Sequence, residues 1–129
     1  MRLLIKGARV VDPASGRDAI GDVCVADGRI AQPAGTPDRV LEARGLVVAP
    51  GFIDLAARLR EPGYEYKATL ESEMDAAVAG GVTSLACPPD TDPPLDEPGL
   101  VDMLRRRAKA LSRARVYPVG ALTVKLAGK

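Results

Sequence analysis

The stretch PGFIDLAARLREPG, Pro50 to Gly63, is where the sequence changes rhythm. Within it, GFIDLAARL is an apolar run of strand length. TLESEMDAAVAGG follows and places Leu70, Met74, Ala77 and Val78 on one helical stripe, with Glu71 and Glu73 near the positive end of the helix dipole and Gly80-Gly81 as its stop. VTSLAC then predicts a second buried strand, PPDTDPPLDEPG a proline-rich loop, and LVDMLRRRAKALSRA a second helix with Leu100, Leu104, Ala108 and Leu111 facing inward. VYPVGAL predicts a third strand. A β-α-β-α-β order with apolar strands implies a parallel sheet, either open and doubly wound or part of a (β/α)8 barrel.

Residues 1–49 are punctuated at shorter intervals. RLLIKGARVVD gives two apolar runs split by Gly7, and DVCVADGRIAQ alternates up to Asp27-Gly28, a strong two-residue hairpin signal. RVLEARGLVVAPG adds two short strands around Gly45. These features predict a small antiparallel β unit with a polar loop, QPAGTPD, between its hairpins. The boundary falls at Ala49-Pro50, which separates it from residues 50–129.

Composition removes several function classes. With 47% hydrophobic residues the chain has enough apolar material for a core, against disordered or fibrous classes. Eighteen Lys and Arg nearly cancel seventeen Asp and Glu, and a net charge of +1 gives no electrostatic footprint for nucleic acid or an anionic membrane. No run is long enough to span a bilayer, and MRLLIKGARVVDP breaks into charge too early for a secretory signal, so the cytoplasm is the expected compartment. Cys24 and Cys87 have neither the number nor the spacing of a disulfide framework or a zinc knuckle and are expected to pack. Histidine is absent, which removes histidine-based zinc triads and Ser/His or Cys/His nucleophile systems from this chain.

KGARVVDP, DVCVADGRI, VVAPGFIDL, LREPG and CPPDTDPP, in unbroken order from about Leu3 to Gly120, resemble the N-terminal third of a dihydroorotase, within the cyclic amidohydrolases of the amidohydrolase superfamily. The resemblance implies an α/β chain: residues 1–49 as half of a small β-sandwich and residues 50–129 as the start of a metal-dependent (β/α)8 barrel. On such a barrel strand Asp54, Ala56, Arg58 and Arg60 share the face turned into the barrel near its C-terminal mouth, while Ile53, Leu55, Ala57 and Leu59 face the helices. In active dihydroorotases two histidines of an H-x-H-x-R pattern bind zinc at these spacings. Here the matching positions are Ala56 and Arg58, with Arg60 kept.

An alanine methyl has no lone pair, and a guanidinium puts permanent positive charge where a divalent cation would sit. The loop that in the family reads P-N-T-N-P-P, its first Asn contacting substrate, is here PDTDPP with Asp90 at that position, and an added carboxylate suits an anionic substrate poorly. Arg60 could still grip a carboxylate, unless Asp54 or Glu61 holds it. A buried Arg58 needs a counter-charge, for which Asp90 is the first choice; the competing possibilities are that Asp54 serves instead or that the long side chain leaves for solvent. Arg105, Arg106, Arg107, Lys109, Arg113 and Arg115 fit the solvated face of an amphipathic helix, Asp90 and Asp92 ordinary turn chemistry, and Tyr64 and Tyr66 the barrel mouth.

The expectation is therefore a pseudoenzyme: no catalytic residue, no metal, no cofactor, vestigial substrate positions at Arg60 and Asp90, and lost ligand positions at Ala56 and Arg58. By the resemblance it would be a structural partner of the aspartate transcarbamoylase catalytic subunit in pyrimidine biosynthesis, or would self-associate, without binding nucleic acid or membrane. The alternatives are a divergent amidohydrolase with metal ligands from later strands and a metal-free module that binds a carboxylate ligand. A complete (β/α)8 barrel takes about 250 residues. The sequence is thus expected to be a fragment, or to be completed by a second polypeptide.

Overall fold

The structure, a computed structural model, describes residues 1–128. Two compact units, Met1–Pro50 and Gly51–Lys129, divide the chain.

The first unit is one five-stranded sheet built on β1 (Arg2–Asp12). β1 pairs antiparallel with β2 (Arg17–Ala26), from Arg2 opposite Ala26 to Asp12 opposite Arg17, and β2 pairs antiparallel with β3 (Arg29–Ala31). Asp27 and Gly28 close the second hairpin with φ of 51° and 74°, the positive pair a two-residue turn of this hand requires. β4 (Arg39–Glu42) and β5 (Val47–Val48) do not form the antiparallel hairpin expected from the sequence. Both pair parallel to β1, so the sheet is mixed. The physical reason is the crossing loop, pinned to the far edge of β1 by Arg2: its N–H donates to Asp38 Oδ2 at 2.6 Å and its Nη1 to the Ala34 carbonyl at 2.7 Å. Gly7 likewise does not split β1 into two strands. It takes φ of 72° at a register shift between Ile5 and Ala8, a bulge that leaves one continuous strand. Ala8, Val10, Val23, Cys24 and Ala43 are this unit's buried apolar residues.

The second unit has the strand, helix order predicted: β6 (Phe52–Asp54), α1 (Leu70–Ala79), β7 (Val82–Cys87), α2 (Pro98–Leu111), β8 (Arg115–Pro118) and a short 3-10 turn at Val124–Leu126. β6, β7 and β8 form a parallel sheet in that order. A reciprocal cap starts α1: Thr69 Oγ1 accepts the Ser72 N–H and Ser72 Oγ accepts the Thr69 N–H. Gly81, at φ of 79°, lets the chain turn out of the helix into β7. α2 opens on Pro98, where a missing N–H costs nothing, and ends at left-handed Ser112. Leu59, Leu70, Met74, Leu85, Cys87, Leu95, Leu104 and Ala108 form the core, with Leu100 and Leu111 packed partly against it.

Two expectations need correction here. Val78 is 46% exposed, so the buried stripe of α1 is Leu70, Met74 and, in part, Ala77. The strand expected over GFIDLAARL is only three residues long. Asp54 turns its own carboxylate onto the Ala56 N–H at 2.9 Å, and Arg60 is left-handed at φ of 63°, so extended alternation stops early. Leu59 is buried, yet Ile53 and Leu55 are 66% and 80% exposed. Among the described residues no helix is long and apolar enough to cross a membrane.

Candidate functional site

β6 and β7 are parallel neighbours, so the segments that follow them leave the sheet from the same end. Backbone contacts stitch these segments together. The Ala57 N–H donates to the Ala86 carbonyl at 3.0 Å and the Asp92 N–H to the Pro62 carbonyl at 3.1 Å. Gly63, at φ of 97°, lies so close to Asp92 that a Cβ would run into its carbonyl. The REPG turn is fixed from the helix side by Glu61. This carboxylate is only 4% exposed; it accepts the Leu70 N–H at the start of α1 at 2.9 Å and forms an ion pair with Arg107 Nη2 of α2 at 2.5 Å. A buried carboxylate is thus satisfied by a helix end and by a guanidinium from the next helix.

Across this frame Arg58 Nε donates to Asp90 Oδ2 at 2.6 Å. The hydrogen bond, and after it the charge of Asp90, raises the Arg58 pKa above its ordinary value, so the guanidinium is held more firmly protonated. The pair is not buried as expected, since its side chains are 52% and 42% exposed. Asp54 forms no ion pair with Arg58; its Oδ1 accepts the Ala56 N–H. Nor is Arg60 held by Asp54 or Glu61, whose partners are the contacts just given, and among the described residues it makes no ion pair. Sequence reasoning missed Glu61 and Arg107 as a pair, and missed Lys67, whose Nζ lies 5.2 Å from the Tyr64 ring centre and 5.4 Å from that of Tyr66. The two rings meet edge to face at 6.4 Å. The clustering of Tyr64, Tyr66 and Lys67 within YEYK was the available signal.

Little space remains between the two segments. Arg58, Arg60, Tyr64, Cys87, Asp90 and Thr91 close around a cavity of about 10 Å³, which is about the room of a single water. A wider open groove of about 370 Å³ is lined by Asp54, Ala56, Arg58 and Arg60 together with Glu73 and Ala76 of α1.

Zinc does not fit this donor set. Ala56 offers no electron pair, and Arg58 offers a cation already satisfied by Asp90. The thiol of Cys87 is pushed up by burial, against the thiolate a metal needs. Among the described residues no group of three or more His, Cys, Asp or Glu side chains converges on a point.

Residues 45–129 match the model of a family described as dihydro-orotase-like. The chain is 50% identical over 128 residues to a dihydroorotase-like protein of Pseudomonas aeruginosa, covering 95% of this chain and 30% of that one. It is 43% identical over 133 residues to a dihydroorotase of Solibacter usitatus, covering 100% and 31%. The chain thus spans about a third of the length of the curated relatives it matches. Among solved structures it is similar to the L-hydantoinase of Arthrobacter aurescens, with a TM-score of 0.81 at 22% identity over 92% of this chain and 27% of that one. That likeness shows the fold: mixed α/β, consistent with the N-terminal part of a (β/α)8 barrel.

Proposed function

Because the chain belongs to the dihydro-orotase-like family, we propose that it is a non-catalytic member acting as a structural partner of the aspartate transcarbamoylase catalytic subunit in pyrimidine biosynthesis. The observation that carries the loss of catalysis is the Arg58–Asp90 ion pair at 2.6 Å, formed by residues at a metal-ligand position and at a substrate-contact position of the family pattern. One substitution removes donors for the metal. The other supplies the carboxylate that neutralises the arginine left behind. The stitched segments and the water-sized cavity beside them support a role in which this end of the sheet holds its shape rather than admits a substrate ring. The partner itself comes from the family resemblance.

The test is direct. The purified chain is expected to hold far less than one zinc per chain after incubation with the metal and to hydrolyse no dihydroorotate. It is expected to co-sediment with the aspartate transcarbamoylase catalytic subunit. Near-stoichiometric zinc with turnover would overturn this in favour of a divergent amidohydrolase. Ala56→His with Arg58→His is not expected to restore normal rates, since Asp90 then stands without its partner beside an anionic substrate.

A second reading is favoured by Arg60, which has no ion-pair partner among the described residues and borders the groove of about 370 Å³. In this reading the chain is a metal-free module that binds a carboxylate ligand. Thermal stabilisation by dihydroorotate, carbamoyl aspartate or orotate without metal, lost on Arg60→Met, would favour it over a pure scaffold.

A further inference from the structure

Arg60 has a backbone conformation that a residue with a side chain seldom takes, with φ of 63°. Such a conformation persists only where neighbouring contacts over-determine it, and here they come from both sides. Leu59 before it is 2% exposed and belongs to the core, and Glu61 after it is buried as well. The Arg60 carbonyl accepts the Tyr64 N–H at 2.8 Å, and the Pro62 carbonyl accepts the Asp92 N–H at 3.1 Å. Of these ties the Glu61 carboxylate is the one that reaches the helix layer, through the Leu70 N–H at 2.9 Å and the Arg107 guanidinium. All of them lie within the segments that follow β6 and β7 and the two helices, so none depends on what packs against the open edges of the sheet.

The bend at Arg60 has a chemical consequence. In an extended chain Arg58 and Arg60 would share one face. With the left-handed turn in place, Glu61 is buried against α1 and α2, and Arg60 borders both the water-sized cavity and the groove of about 370 Å³. Arg58 donates to Asp90, whereas Arg60 makes no ion pair among the described residues. A planar guanidinium grips a carboxylate through two parallel N–H donors, and that geometry is exacting. A guanidinium carried off line by its backbone loses the second bond. A carboxylate ligand therefore depends on the backbone of Arg60 as well as on its charge.

We propose that Glu61 is a positioning residue for ligand binding: tied to Leu70 and Arg107, it holds Arg60 in the left-handed conformation from which the guanidinium grips a carboxylate. This rests on the metal-free, carboxylate-binding reading given above. A Glu61 of purely structural use would stabilise the turn without touching affinity. A positioning Glu61 sets the fraction of chains in which Arg60 is poised, and the apparent affinity scales with that fraction.

The experiment uses the whole chain, isotope-labelled at arginine. NMR reads the strong cross-peak between the amide and α protons of residue 60, which a positive φ brings close together, and calorimetry reads orotate binding well below the melting transition. The parent is expected to show the cross-peak and to bind orotate. Glu61→Ala is expected to lose the cross-peak and to bind orotate at least about tenfold more weakly. Glu61→Gln, whose amide oxygen still accepts the Leu70 N–H, is expected to fall between the two. Should Glu61→Ala fail to fold, Arg107→Met, which leaves the Leu70 tie in place, must still weaken both the cross-peak and the binding. A cross-peak kept in Glu61→Ala, or an affinity unchanged by its loss, would overturn the proposal and leave the carboxylate-binding reading standing. A parent that shows the cross-peak but binds no orotate, dihydroorotate or carbamoyl aspartate would overturn that reading, and the ligand role of Glu61 with it.

Discussion

Arg58 and Asp90 illustrate how one change of residue type calls for another. The fixed positive charge of Arg58, at a position between two strand ends, is met by the Asp90 carboxylate, while Asp54 Oδ1 accepts the Ala56 N–H. That logic was legible in the letters, because an arginine and an aspartate both depart from the pattern the chain resembles. The exposure of the pair was not, since alternation along a nine-residue strand puts Arg58 inside, and the strand ends after Asp54. Half-exposed pairs bring modest stability. Arg58→Met and Asp90→Asn are therefore each expected to lower the melting temperature slightly, and together by less than the sum. Additive shifts in that double-mutant cycle would mean that the two side chains do not interact in solution.

At the scale of elements, the Glu61 carboxylate links the REPG turn to the start of α1 and the side of α2. Sequence reasoning placed Arg107 on a solvated face, and indeed its side chain is 58% exposed, but its tip turns inward to a carboxylate forty-six positions earlier in the chain. No local periodicity carries that information. Glu61→Ala is expected to cost about 1–3 kcal/mol in urea unfolding by stranding the buried Leu70 N–H, with Glu61→Gln milder because the amide oxygen still accepts. A Glu61→Ala variant as stable as the parent would show that water replaces the tie. The β1–β2 hairpin makes a pH prediction. Asp18 accepts from Arg9 Nε and Nη2 at 2.6 Å each, and these hydrogen bonds, then the charge, hold its carboxyl below the ordinary range. Asp12 is lowered by the Ser15 hydroxyl and then the Ala14 N–H. A carboxyl with a lower pKa folded than unfolded adds stability that is complete above its unfolded pKa and fades as pH falls toward the folded value. Melting temperature should hold from pH 7 to about 5 and decline below about pH 4, with a shallower decline for Asp18→Asn. A flat profile down to pH 3 would remove these carboxylates from the account.

For the molecule as a whole, the parallel second unit was legible because apolar strand runs and helix stripes differ in period, and the Pro50–Gly63 stretch announces the change. The mixed character of the first sheet was not, because nothing in RVLEARGLVVAPG says which edge its strands will join; Arg2, reaching Asp38 and Ala34, decides that from far away. β1 is consequently the hub of the whole first sheet, with β2 on one edge and β4 and β5 on the other. Leu3 pairs with Arg39 and Val10 with Val48, so β1 is completed only by strands made well after it. During synthesis it waits as a half-paired hairpin with an open edge. Shaving a few residues from the amino end should therefore damage strands made much later. Removal of residues 1–6 is expected to abolish protection from amide exchange at Val40 and Leu41 as well as at β2.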